Sequence, residues 1–109
     1  MRTAFTIEFR GKVVENHYSD GSLASRRIRV PKLERRHADM AAARSSRKYG
    51  GYANSDLFPS MMNRAAESVG CKRIGDALYI DLLQPLPVGV VVDESGFLTA
   101  VRIEVPDAA

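Results

Sequence analysis

Guanidinium and ammonium groups dominate the chemistry this chain offers. Between Arg26 and Lys48 stand nine bases (Arg26, Arg27, Arg29, Lys32, Arg35, Arg36, Arg44, Arg47 and Lys48) against Glu34 and Asp39, a local net charge of +7. From Ile74 to Ala109 the balance reverses, because Arg102 is the one base beside Asp76, Asp81, Asp93, Glu94, Glu104 and Asp107, a net of −5. Cations at this density neutralise phosphates and release counterions, which is the main source of sequence-independent affinity for nucleic acid. Tyr49 and Tyr52, which bracket Gly50-Gly51 at the end of the run, add ring faces on which bases can stack. The candidate binding residues are therefore Arg27, Arg29, Arg35, Arg36, Arg44, Arg47, Lys48, Tyr49 and Tyr52. The bland alternative is that the two oppositely charged halves meet in the fold or are simply solvated.

Groups suited to catalysis are sparse. His17 and His37 are the two histidines, and no HExxH, GxSxG, CxxC or phosphate-loop pattern occurs. Asn16-His17-Tyr18-Ser19-Asp20 brings acid-base types together, but Ser and Asp are also what a hairpin tip requires for its backbone hydrogen bonds. Cys71 is the single cysteine, which rules out an internal disulfide framework or a thiol cluster for zinc and suits the cytoplasm. Following Val69-Gly70, it reads as a small semi-buried residue rather than a nucleophile. No cofactor or metal is expected.

The elements that must carry these groups follow from periodicity. Thr3 to Arg10 alternates, with Phe5, Ile7 and Phe9 on one face, as a half-buried strand does. After Gly11, Lys12 to Tyr18 continues as a strand to the turn signal Asp20-Gly21, and Leu23 to Val30 returns with Ile28 and Val30 inward and Arg27 and Arg29 outward. Pro31 keeps Val30 extended. Leu33 to Tyr49 lacks Gly and Pro and is dense in helix formers, which predicts one long helix ending at Gly50 in a left-handed cap. Its small-residue stripe, Ala38, Ala41, Ala42, Ser45 and Tyr49, is expected to touch the body, leaving Leu33, Met40 and the bases on other sides.

A second helix starts at Ser55 or Asp56, carries Phe58, Met61, Met62, Ala65 and Val69 as its core stripe, and ends at Gly70. Ser60, Asn63, Arg64, Glu67 and Ser68 form its open face. Strand signals follow at Ala77 to Leu83, Val88 to Val92 and Phe97 to Val105, the last two joined as a hairpin through Gly96, with Phe97, Thr99, Val101, Ile103 and Val105 on one face of the last. The fold class is α+β: a mainly antiparallel sheet from N- and C-terminal hairpins, with a central pair of helices packed on one face. A chain of 109 residues with 45% hydrophobic and 27% charged residues forms one domain, residues 1–109. No apolar run approaches the roughly 18 residues of a membrane span, and the N-terminus lacks the apolar centre of a signal peptide.

Helix-turn-helix DNA reading fits poorly, since the break from Gly50 to Ser55 exceeds the usual turn and the second helix is mostly neutral on its open face. With the segment KYGGYANSDLFPSMMNRAAESVG between two hairpin-rich halves, the chain resembles the small accessory proteins encoded by phages of actinobacteria. That resemblance implies a non-structural factor acting on host machinery or on nucleic acid inside the infected cell. The expected function is thus a non-enzymatic binding protein whose basic strand-helix surface meets nucleic acid or an acidic host protein. A protein-protein inhibitor without nucleic-acid contact and a small enzyme are the alternatives. A homodimer is compatible with either reading.

Overall fold

The computed structural model describes residues 2–107. These form seven strands, β1 (Thr3–Gly11), β2 (Val13–His17), β3 (Leu23–Val30), β4 (Lys72–Ile74), β5 (Ala77–Asp81), β6 (Val90–Asp93) and β7 (Thr99–Pro106), with helices α1 (Met40–Ser45) and α2 (Phe58–Ser68) between β3 and β4. The architecture is α+β with every strand pairing antiparallel, divided between two sheets rather than gathered in one. The first sheet has the order β1-β7-β6 and the second β2-β3-β5-β4. The body is elongated, 51 × 26 × 24 Å.

Alternation builds the core. Phe5, Ile7 and Phe9 of β1 are buried as expected, as are Ile28 and Val30 of β3 and Thr99, Val101, Ile103 and Val105 of β7; Phe97, expected on that same face, instead lies in the bend before β7 and is exposed. The Asp20-Gly21 turn forms, with Gly21 at φ +88° and the Asp20 carboxylate accepting from the Ser22 amide at 2.9 Å. The ladder leaves the turn with His17 opposite Leu23, shifts by one residue at an irregularity between His17 and Asn16, and then sets Val14 opposite Arg27 and Val13 opposite Ile28. β4 was not evident in the sequence; three residues, all exposed, are too few to alternate visibly. The two sheets meet at Gly11, where a Cβ would stand 2.8 Å from Ile28 Cγ2, so only glycine lets β1 pass this close to β3.

The expected long helix over Leu33 to Tyr49 does not form. The segment breaks into a single 3-10 turn at Arg35–His37, an extended Ala38, the six-residue α1 and a second 3-10 turn at Gly50–Tyr52. Tertiary pairing overrides helix propensity: Ala38 makes a bridge to Ile7, and the Asp39 amide donates to the Thr6 carbonyl at 3.1 Å. Asp39 then caps α1 by accepting from the Ala42 amide at 3.2 Å. Ala43 is the buried residue of α1; of the expected stripe Tyr49 is buried and Ala38 and Ala42 pack against the core, whereas Ala41 and Ser45 are exposed and Met40, expected on another side, packs inward. Gly50 is not a left-handed cap. It is required because a Cβ there would lie 2.7 Å from the Arg44 carbonyl oxygen.

α2 is close to expectation. Ser55 organises its approach, with its side-chain oxygen accepting from the Leu57 amide, and Phe58, Met62, Ala65 and Ala66 are buried. Pro59 falls in the first turn, where its missing amide proton costs little. α1 packs against β1 and α2 against β7, and Phe5 joins them through an edge-on contact with Tyr49 at 5.0 Å and a tilted one with Phe58 at 5.6 Å. Each such aromatic pair is worth about 0.5–1.5 kcal/mol beyond its burial.

Candidate nucleic-acid interface

The nine residues singled out from the sequence do not form one surface. Tyr49 is buried against Phe5 and cannot stack on a ligand, while Tyr52 stays 42% exposed. The Arg35 guanidinium donates to the Ser55 carbonyl and fastens the 3-10 turn to the start of α2. Arg36 pairs with Glu34 at 2.8 Å, and the hydrogen bond from Arg36 holds the Glu34 carboxyl below its ordinary value. Arg44 donates to Asn54 Oδ1 at 3.1 and 3.3 Å. Arg47 and Lys48 are exposed beyond α1, with Lys48 Nζ 5.4 Å from the Tyr49 ring centroid. Arg27 and Arg29 lie on β3, on the face opposite Ile28 and Val30, as expected. Leu33, earlier placed on an open side, is fully buried.

What the fold assembles instead is a cationic cleft of about 840 Å³, lined by Arg10, Lys12, Arg29, Lys32, Arg64 and Arg73. Asp76 is its one lining carboxylate, and Ser60 and Asn63 of α2 add neutral polar groups. These cations come from four stretches of the chain: Arg10 and Lys12 at the step from β1 to β2, Arg29 and Lys32 at the end of β3 and just after it, Arg64 on the open face of α2, and Arg73 on β4. The geometry at Gly11 explains the convergence, since it delivers the ends of β1 and β3 to one corner beside α2. Arg73 is engaged by Glu67 at 3.1 Å; among the described residues the other five form no ion pair. Five like charges around one opening raise the local positive potential and draw in counterions.

Sequence reasoning placed Arg29 in this group and named Lys32 and Arg64 without joining them to it. Arg10, Lys12 and Arg73 were missed. A signal existed for one of them: counting outward from the Asp20-Gly21 turn puts Val13 opposite Ile28 and hence Lys12 beside Arg29. Nothing comparable points to Arg73, on a three-residue strand.

The charge-separated halves pair along β3 and β5, where Arg27 stands opposite Asp81, and among the described residues one ion pair joins them, from Arg26 to Glu94 of the terminal hairpin, which holds that carboxyl below its ordinary value. The remaining acids of that hairpin leave the cleft untouched. At the β2-β3 tip, Asp20 spends its carboxylate on the Ser22 amide and hydroxyl, and no His17–Asp20 hydrogen bond forms among the described residues. Burial pushes the Cys71 thiol up to about 11, the opposite of what a nucleophile needs. Among the described residues no group of three or more His, Cys, Asp or Glu side chains is arranged to hold a metal, and no helix is long and apolar enough to cross a membrane. No family model matches the chain, and neither a curated protein nor a solved structure matches it.

Proposed function

We propose that this protein is a non-enzymatic nucleic-acid-binding protein whose contact surface is the cleft between the second sheet and α2. One observation carries this reading: six bases from four stretches of the chain, residues 10–12, 29–32, 64 and 73, surround one opening that has a single lining carboxylate. Holding like charges together opposes folding, so a site that concentrates them is accounted for by an anion that offsets their repulsion. A sugar-phosphate backbone, with its regular negative charges, suits a cleft of fixed cations and neutral hydrogen-bonding groups from Ser60 and Asn63. Arg27 and Tyr52 are secondary contributors, whereas Arg35 and Tyr49 serve the fold and Arg36 and Arg44 are engaged at the surface by Glu34 and Asn54. The likeness to phage accessory proteins supports placing this activity in an infected cell, on host or phage nucleic acid.

The test compares two charge reversals. Arg29→Glu with Arg64→Glu alters the cleft; Arg44→Glu with Arg47→Glu alters the helix surface by the same amount. At low salt the first pair is expected to abolish binding to a labelled oligonucleotide and the second to weaken it only slightly. Equal effects would place the contact elsewhere, and binding only to an acidic protein after nuclease treatment would replace the nucleic-acid reading.

A further inference from the structure

The geometry points to single-stranded nucleic acid as the ligand of this cleft, with unpaired bases stacking on Phe97 and Tyr79, which lie outside the cleft beside its lining residues Lys12 and Arg29; this rests on the nucleic-acid reading above and names its substrate class. The register of the second sheet sets Lys72 opposite Tyr79 and Tyr79 opposite Arg29, so the three share one face. Lys12, next along β2 from the Val13–Ile28 pair, completes the row across four strands. On that face Arg29 and Lys72 are exposed, Val14 is 46% exposed and Tyr79 is half-buried, while Asp81 pairs with Lys72 at 3.5 Å. Arg27 Cζ lies 6.0 Å from the centroid of the Tyr79 ring and steadies it from one side.

At the other end of the row, Lys12 Nζ stands 5.8 Å from the centroid of Phe97, whose side chain is 88% exposed in the β6-β7 connection. Neither core packing nor turn chemistry accounts for a phenylalanine in that position. The order along the surface is therefore aromatic, cation, cation, aromatic, cation. Two strand spacings, about 10 Å, separate Lys12 from Tyr79. A duplex hides its base faces within the stack and would meet only the cations of this surface. A single strand can set its phosphates on Lys12, Arg29 and Arg10 while its bases turn onto the rings.

Binding of a labelled oligothymidylate of about 12 nucleotides, by anisotropy, tests the inference against a duplex and inorganic polyphosphate of matched charge. The single strand is expected to bind more tightly than either comparison ligand. Phe97→Ala is expected to weaken its binding roughly tenfold while leaving polyphosphate unchanged, and Phe97→Tyr to restore it. Because Phe97 is exposed, its replacement leaves the core intact. Tyr79→Leu should act likewise, and Tyr79→Phe should retain binding. If the single strand binds no better than polyphosphate and Phe97→Ala changes nothing, stacking is refuted while the charge-based reading stands. If no polyanion binds at low salt, both readings fall.

Discussion

The salt dependence of binding can be worked out from the side chains around the cleft. Arg73 is already engaged by Glu67, leaving Arg10, Lys12, Arg29, Lys32 and Arg64 to meet phosphates. At roughly −0.7 per phosphate neutralised on a single strand, five contacts give a slope of about −3.5 for log affinity against log salt. Raising salt from about 50 to about 200 mM should then cost roughly 100-fold in affinity. Replacing Arg29, Lys32 and Arg64 together by glutamine removes three contacts, so the slope should fall to about −1.4 and the same salt step should cost only about sevenfold. Anisotropy titrations at four or five salt concentrations measure both slopes. All three side chains lie at the surface or rim, so matching thermal melts will show that the fold is retained. A triple variant with the wild-type slope would refute the assignment of these cations, because the slope counts contacts irrespective of the absolute affinity.

Three further outcomes bear on the fold. Met62→Asp sets an unpaired carboxylate in a fully buried site and should destabilise the protein by roughly 3 kcal/mol or more; an unchanged melting temperature would contradict the placement of α2. Gly70→Ala should cost about 2–4 kcal/mol, since Gly70 adopts φ +121° and an added Cβ would sit 2.4 Å from Pro87 Cγ; Pro87→Ala in the same chain should recover part of the loss by melting temperature. The carboxyls of Asp20, Glu34 and Glu94 are held below their ordinary values by hydrogen bonds from Ser22, Arg36 and Arg26. With folded values below unfolded ones, their contribution is complete above roughly pH 5, beyond the unfolded carboxyl values, and is lost as pH falls from there through the folded values. Melting temperature should therefore decline below that point, less steeply in Glu94→Gln, and identical declines would show that the Arg26 pair contributes nothing.

Features that depend on nearest neighbours were legible in the sequence. The alternation of Phe5, Ile7 and Phe9, the Asp20-Gly21 turn and the i, i+3, i+4 spacing of Phe58, Met61 and Met62 are local, and each element appears close to its expected bounds. The helix over Leu33 to Tyr49 failed because Ala38 and Asp39 satisfy their backbone groups against β1, a pairing invisible until β1 is in place. Asp39 ahead of Met40-Ala41-Ala42 was nonetheless a readable start signal within the run. The division into two sheets turns on Gly11, where close approach of two strands, and not a simple interruption, requires glycine. The cleft was the least legible feature. A run such as Arg26 to Lys48 advertises charge along the chain, but its members point to different sides once the chain turns at Pro31 and Ala38. The bases that do converge are scattered from Arg10 to Arg73.

The molecule's length has a bearing on how it will behave in solution. At 51 Å along one axis and about half that along the others, it presents more friction than a sphere of its 12.0 kDa, and its Cα radius of gyration of 14.8 Å exceeds the value of about 13 Å usual for a chain of this length. A lone copy will elute slightly early from a sizing column and tumble somewhat more slowly than a sphere of its mass. Light scattering, which weighs particles irrespective of their outline, is the measurement that distinguishes self-association from shape.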